Sequence, residues 1–518
     1  MPTLRLALAT LCAALALGRA AADTPNIVYI LADDLGPGDV SFLNPHSAWK
    51  TPAMDRIAAA GRTFTDAHSA SAVCTPSRYA ILTGRYPWRT SLKARVLNGY
   101  SAPLIDRGRI TVPDLLHTAG YRTAGVGKWH LGLDWAHDGP KPQDVDFTKP
   151  IAFGPVQCGF DSYFGIPASL DMPPYVYVKN EGVESPPTHT VANSPLPAFY
   201  RAGVAAAGFS HEDVLARVTQ AAIRDLDADA GQGDHRPFFL YVALTAPHTP
   251  IIPTAEWRGR SHVTPYGDFV LEVDAAVGKI SAELDRLHLA SNTLVVLTSD
   301  NGCSTAANLP ELKKFGHDPS NGWRGQKADI FEGGHRIPFF VRWPGHVTAG
   351  SRSDALISQT DLIATLAQLT GQSLPADGAE DSVSMLSLLE PTLPAHGPRA
   401  SLVVASVNGS LGLREGEWKF CACPDSGGWS EPKPGPASKF LPPYQLFNLA
   451  TDPREQHNLS DDRPDLVEKF GRELCEDVIN GRTRAGISPH TAPADFWPNI
   501  ASLKRFAPGS TSAASESN

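Results

Sequence analysis

The amino-acid sequence predicts an α/β protein: a large mixed, mostly parallel sheet flanked by helices, followed by a smaller C-terminal antiparallel sheet with a helix. Two observations predict it. Runs rich in apolar residues, NIVYIL (26–31), PFFLYVAL (237–244) and TLVVLTSD (293–300), alternate with amphipathic stretches of helical period, as strands covered by helices on both faces do. Past about residue 375 the runs shorten and are separated by polar turns, which marks antiparallel strands.

Taken in order, NIVYIL ends in Ala32-Asp33-Asp34 and a Gly/Pro turn. It therefore delivers two carboxyl groups at the C-terminal end of a strand, where open α/β sheets bind ligands. TPAMDRIAAAG (51–61) reads as a helix with Thr51 at the N-cap, Pro52 at the first helical position and Gly61 as its stop. CTPSRYAILTG opens a helix near Cys74 that Pro76 can start and Gly84 can end. TVPDLLHTAG (111–120) is a helix and YRTAGVG the strand after it. HEDVLARVTQAAIRDLDA leads into PFFLYVAL, and GDFVLEVDAAVGKISAELDRLHL into TLVVLTSD. SQTDLIATLAQLTGQ is a late helix capped by Thr360 and stopped at Gly371. SLVVASV, LGLREGEWKFCAC and PYQLFNLATDPREQHNL supply short strands, and PDLVEKFGRELCEDVIN a final helix. The Pro/Gly-rich stretches 134–210 and 424–443 are expected to be loops around a pocket.

The 518 residues, 42% hydrophobic and 19% charged, describe an ordinary globular chain with room for several domains. A net charge of -9 excludes a general nucleic-acid binder, which needs a basic field. Residues 1–22 carry Arg5, the apolar run LALATLCAALALG and a small-residue end at Ala20-Ala21-Ala22. That is the layout of a signal peptide, and the run is shorter than the roughly 20 residues of a membrane span. The expected organisation is a signal peptide (1–22), a catalytic α/β domain (23–375), a C-terminal domain (376–506) and a disordered tail (507–518). The mature protein is expected to be secreted or periplasmic, with no stable membrane anchor. Six of the seven cysteines follow the leader. If Cys74 is reserved for chemistry at least one other is unpaired, and at most one of Cys421 and Cys423 is expected to meet Cys303.

Several residues carry chemistry by their type and place. Cys74, at the start of a helix, lies at the positive end of the helix dipole beside free backbone N–H groups. Lys128 and His130, two apart at a strand end, are expected to share a face and present a cation and a proton carrier to one ligand. Asp33-Asp34 and Asp300-Asn301 each close an apolar strand. If those strands are neighbours, four hard oxygen ligands meet, a set suited to Ca²⁺ or Mg²⁺ and unlike the His/Cys sets of Zn²⁺.

CTPSR followed by LTGR (82–85) resembles the Cys-x-Pro-x-Arg signature of type I, formylglycine-dependent sulfatases. GYRTAGVGKWHLG (120–132) resembles their second signature. HTP (248–250) and GQKADIFEGGHRIP (325–338) are similar to the family's histidine and lysine motifs, in family order over roughly residues 24–372. The likeness is nearest to the arylsulfatase A and N-acetylgalactosamine-6-sulfatase branch of the alkaline phosphatase-like superfamily. It implies oxidation of Cys74 to Cα-formylglycine by a formylglycine-generating or equivalent maturating enzyme that reads CTPSR and LTGR. It implies one divalent metal, Ca²⁺ in preference to Mg²⁺, on Asp33, Asp34, Asp300, Asn301 and the modified residue 74. It also implies a catalytic set of Cys74, Arg78, Lys128, His130, His248 and Lys327. The EGG at 332–334 is expected to shape the backbone.

The expected substrate is a sulfated carbohydrate or an aryl sulfate. The alternatives are a phosphonate or phosphate ester hydrolase of the same superfamily, and a carbohydrate-binding protein without turnover if Cys74 is not oxidised. His46, Asn98, Trp135, His137, Asp171 and Trp429 could touch a sugar or equally pack within their loops.

Overall fold

The computed structural model describes residues 24–231, 236–484 and 496–509. The leader expected at 1–22, and all but the first three residues of the tail expected at 507–518, lie outside them. In chain order the strands are β1 (Asn26–Ala32), β2 (Arg62–Phe64), β3 (Ala67–His68), β4 (Arg122–Lys128), β5 (Ser162–Ile166), β6 (Val178–Lys179), β7 (Gly182–Val183), β8 (Pro187–Val191) and β9 (Gly203–Ala206). They continue with β10 (Phe238–Ala243), β11 (Thr293–Ser299), β12 (Phe339–Arg342), β13 (Ser351–Ser353), β14 (Ile357–Ser358), β15 (Ser401–Ala405), β16 (Leu411–Glu415), β17 (Trp418–Cys421) and β18 (Gln445–Asn448).

A ten-stranded sheet runs β13-β2-β12-β11-β1-β10-β4-β5-β6-β7. Its centre, β11 through β5, is parallel; β12 joins antiparallel to β11, and β6 and β7 form an antiparallel margin. The unbroken apolar runs have a direct cause. Ile27, Tyr29 and Leu31 enter the core on one face of β1, and Val28, Ile30 and Ala32 the core on the other. Burying such side chains is worth about 1.5–3 kcal/mol each, so both faces demand apolar residues.

Register fixes what meets at the sheet edge. Leu31 lies opposite Ala243 of β10 and Ala32 opposite Ser299 of β11, while Gly127 of β4 pairs with Ala243. The residues that follow, Asp33, Asp300 and Lys128, therefore emerge side by side. Gly127 has φ +105°, and a Cβ there would collide with the Ala243 carbonyl oxygen, so only glycine lets β4 approach β10 this closely.

The smaller sheet, β15-β16-β17-β18, is antiparallel. Phe420 and Leu446 on one of its faces share a core with Phe470 and Leu474 of the helix Pro464–Asn480. Leu402, Val404 and Phe447 on the other cover Ile330 and Phe331 of the main body.

Several local expectations change. The stretch 134–210 holds β5 to β9 as well as loops. SYFGI begins with Ser and contains Gly165, so it lacks an apolar run, and β5 is held by pairing with β4. Thr51 occupies the N-cap position but makes no capping bond. Its hydroxyl accepts from Ser41 N and donates to Asp55. The first N–H groups of that helix, Ala53 and Met54, instead reach Asp274 at 3.0 and 2.8 Å. Ser358, not Thr360, caps the late helical segment, in a reciprocal box with Asp361. All six described cysteines are free and buried. Cys303 lies in one core cluster and Cys421 and Cys423 together in another, so neither meets Cys303, which is within the limit of at most one.

A buried ionic network ties the two sheets. His68 of β3 meets His335 Nδ1 to Nδ1 at 2.9 Å. Glu332, three residues before His335, accepts from Arg336 at 2.9 Å and from Arg414 of β16 at 3.0 Å. Lys419 of β17 lies 3.2 Å from Glu332 and 2.8 Å from Glu455. The EGG segment thus serves the backbone and the inter-sheet joint.

Burial holds His68 below its ordinary range and, with the Lys419 charge, holds His335 well below it; burial also pushes His211 down to about 4. Each folded pKa is lower than its unfolded value, so as pH falls through about 6.5 the unfolded chain takes up protons that the fold refuses. Each such histidine should cost up to about 1.4 kcal/mol per pH unit between pH 7 and 5, opposed by Asp274 and Asp477, which burial raises to about 6 and about 8. Calorimetry of wild type and His211→Gln should show the wild type losing more Tm from pH 7 to 5; equal losses would contradict the neutral state of the His211 ring.

Candidate active site

The C-terminal edge of the sheet gathers side chains from six segments. Asp33 and Asp34 follow β1; Asp34 turns with φ 66°, and its N–H donates to Asp300 Oδ1 at 3.1 Å. Cys74 is the first residue of the helix Cys74–Thr83, which ends at Gly84 in the left-handed conformation, as the sequence predicts. Its Sγ lies 3.5 Å from Asp33 Oδ1, 3.9 Å from Asp34 Oδ1 and 3.4 Å from Lys327 Nζ. One turn along the helix, Arg78 donates to Asp300 Oδ2 through Nη2 at 2.7 Å and Nε at 3.1 Å, and to the Lys128 carbonyl at 3.2 Å. Lys128 Nζ reaches both oxygens of Asp33 at 2.7 and 2.9 Å. Lys327 Nζ lies 2.8 Å from Asp34 Oδ2. His248 Nε2 is 3.7 Å from the same oxygen.

His130 departs from expectation. β4 ends at Lys128, and His130 takes φ 58°, so the pair does not share a strand face. The ring still feels the site: burial and then the Lys128 charge hold it well below its usual range. Neutral, it donates from Nε2 to the Leu97 carbonyl at 2.9 Å, which leaves Nδ1 as a buried lone pair without a partner. Ser169 went unpredicted. Its hydroxyl stands 3.1 Å from Lys128 Nζ and 3.3 Å from the His248 ring. One serine in a loop-rich stretch carries no sequence signal. Trp135 packs on Phe147 and bonds the Gly99 carbonyl, a loop-packing role.

The electrostatics are tightly balanced. Burial pushes Asp33 up, but Lys128, His248, Arg78 and Lys327 together hold it well below the carboxylate range. Burial and the Asp33 charge push Asp300 up in spite of Arg78. Asp34 raises Lys327 against the opposing effect of burial. Burial pushes the Cys74 thiol far up, beyond what Lys128 and Lys327 offset. As encoded, Cys74 is a protonated thiol and a poor nucleophile.

The residues fit a hard divalent cation. Ligand atoms of Asp33, Asp34, Cys74 and His248 all lie within 4.8 Å of one another; Asp300 falls outside that group and is joined to it by the bond from the Asp34 N–H to its Oδ1. Asn301 Nδ2 donates to Asp34 Oδ1 at 2.8 Å, while its Oδ1 is buried without a partner. With the amide turned over, so that its oxygen and not its nitrogen meets Asp34, Asn301 would join the three carboxylates in the kind of donor set that Ca²⁺ or Mg²⁺ takes.

A sheet edge that gathers lysine and arginine cations and histidines round a buried cysteine is suited to an anionic ligand. The chain belongs to the sulfatase family: the family model described as Sulfatase matches residues 25–372. It is a hydrolase of that family. An N-acetylgalactosamine-6-O-sulfatase of Bacteroides thetaiotaomicron is 34% identical over 89% of this chain and 93% of its own. Arylsulfatase A of Bos taurus is 37% identical over 88% and 87%. A solved Bacteroides thetaiotaomicron structure, described under the metabolism of multiple glycosaminoglycans, superposes with TM-score 0.76 at 34% identity, covering 88% of this chain and 99% of that one.

In protein whose residue 74 remains cysteine, iodoacetamide at pH 7.5 should leave Cys74 unlabelled until denaturant is added, as peptide mass spectrometry would show. Rapid labelling of the native protein would contradict the buried, protonated thiol.

Proposed function

We propose that the protein hydrolyses sulfate monoesters of a sulfated carbohydrate, a 6-O-sulfated amino sugar foremost, using Cα-formylglycine made from Cys74 and one bound divalent metal. The carrying observation is the placement of Cys74, within CTPSR, against Lys327, Asp33 and Asp34. The similarity to an N-acetylgalactosamine-6-O-sulfatase supports the sugar. The layout of residues 1–22 supports export, and CTPSR with LTGR supports a maturating enzyme as partner. In this reading residues 23–375 form the catalytic domain and 376–506 the C-terminal domain.

Asp33, Asp34, Asp300 and Asn301 would hold the metal, with Ca²⁺ favoured over Mg²⁺. When bound, such a cation polarises a sulfate oxygen and lowers the pKa of an attached hydroxyl. Formylglycine at residue 74 would supply, as its hydrate, an attacking oxygen and a second hydroxyl from which sulfate could leave.

The chain's own residues do the rest. Arg78, Lys128 and Lys327 face the position of the ester and stabilise negative charge as it grows on the sulfate oxygens. His130, neutral and with Nδ1 unpartnered, takes the proton of the second hydroxyl. His248, positioned by Ser169 and supported by Lys327, delivers a proton to the departing alcohol oxygen.

Three outcomes test this. In active protein the peptide containing residue 74 should be about 18 Da lighter than its cysteine form; full activity with unaltered cysteine would sink the mechanism. Cys74→Ala should abolish turnover, on the order of 10⁴-fold or more, with circular dichroism unchanged. Stripping the metal with chelator should remove activity and Ca²⁺ should restore it; activity indifferent to chelation would overturn the assignment of Asp33, Asp34, Asp300 and Asn301.

A further inference from the structure

Hydrolysis at this site needs a place for the alcohol that departs, and His248 marks where that place begins. Two segments flank it. Asp171 lies two residues beyond Ser169, whose hydroxyl touches both Lys128 and His248. Arg201 lies on the segment before β9, which is tied to the loop of His248 twice. Thr249 Oγ1 donates to the Phe199 carbonyl at 3.3 Å, and Ile251 N donates to the Pro197 carbonyl at 2.9 Å.

The two residues are locked together. Arg201 N donates to the Asp171 carbonyl at 3.0 Å, and the guanidinium forms an ion pair with Asp171 Oδ2. The Tyr175 hydroxyl bridges the carbonyls of Asp171 at 3.1 Å and Arg201 at 2.6 Å. Behind them the His211 ring stacks on Tyr200 at 4.1 Å and meets Tyr175 edge-on at 4.4 Å. A staple between loops would need no more than this.

Two features go beyond a staple. Asp171 is only 3% exposed, yet its Oδ1 has no hydrogen-bond partner. Buried acceptors are ordinarily satisfied, so an unfilled one beside the catalytic centre points to a donor on a ligand. The Arg201 side chain, fixed at both ends, still leaves 49% of its surface open. A rigid guanidinium that keeps N–H groups available is preorganised for recognition.

We propose that Asp171 and Arg201 form the recognition subsite for the alcohol portion of the substrate, Arg201 donating to a ring hydroxyl of the sulfated sugar and Asp171 Oδ1 accepting from it. A sugar hydroxyl is both donor and acceptor, and the ion pair offers it both complements. An aryl sulfate has no such hydroxyl, so the pair selects sugar esters over aryl esters by leaving polar groups unmatched when the wrong alcohol is bound. This assignment rests on the sulfatase reading given above.

The test compares kcat/KM for N-acetylgalactosamine 6-sulfate with kcat/KM for 4-nitrophenyl sulfate in the mature enzyme and in Arg201→Ala, Arg201→Lys and Asp171→Asn. Arg201 is half exposed, so its variants report even if Asp171→Asn fails to fold. The sugar-to-aryl ratio should fall about 10- to 100-fold in Arg201→Ala, as for loss of a charge-assisted hydrogen bond, and recover in part with Lys. An unchanged ratio, or equal loss on both substrates, would overturn the subsite and leave a structural staple. Mature enzyme that cleaves the aryl ester but not the sugar would also overturn it. Cleavage of neither ester by that enzyme would instead overturn the sulfatase reading, and the subsite with it.

Discussion

The site depends on a balance of buried charge: Asp33, Asp34 and Asp300 on one side, Lys128, Lys327 and Arg78 on the other. All six are buried. An isolated charge in such surroundings is costly, and breaking one buried pair leaves its partner uncompensated. No member can therefore be altered alone. The parallel strands exist, in functional terms, to hold these groups in register, since β1, β4 and β11 end level with one another. The sulfhydryl of Cys74 sits among them without joining the balance, because burial keeps it protonated.

A sulfate monoester brings a further negative charge to this edge. Three carboxylates facing it would repel it, and the three cations are already engaged with those carboxylates. On the proposed reading, a divalent cation would resolve the conflict by taking the carboxylates as ligands, which would free the lysines and the arginine to meet the ester. The Asn301 amide, turned over, would accord with that arrangement, its neutral oxygen adding coordination without adding repulsion. The buried network of Glu332, Arg414, Lys419 and Glu455 acts at a distance. It fixes the segment just after Lys327 against the smaller sheet, so the placement of that lysine depends on packing between the two sheets.

Much of this was legible in the sequence because its causes are local. Apolar runs buried on both faces gave the central strands to within a residue or two at each end, and Gly84 and Gly371 mark helix ends by their φ. The acidic strand ends were legible for the same reason: a polar pair that stops an apolar run must lie at the sheet edge. What escaped the sequence was set by tertiary contact. β5 exists through its pairing with β4, not through its composition. The helix after Thr51 is capped by Asp274, more than two hundred residues away. Thr360 and Ser358 are both plausible caps, and only the chain path chooses between them. Secretion suggested a disulfide, but Cys303 and the pair Cys421 and Cys423 were sent to different cores. Asp171 was named in the sequence only as a residue that could touch a sugar or pack in its loop; Ser169 and Arg201 lie in a stretch whose composition says only loop, and what they touch became visible only in the fold.

The central claim is that Asp33, Asp34, Asp300 and Asn301 form a metal site whose occupation releases Lys128, Lys327 and Arg78 for the substrate. A crystal structure of the protein grown with Ca²⁺ tests it most directly. The account predicts one cation coordinated by those four side chains at about 2.3–2.6 Å, with the three cationic side chains turned toward the position of the ester. Carboxylates still paired as Asp33 with Lys128 and Asp34 with Lys327, and no cation between them at saturating Ca²⁺, would contradict it.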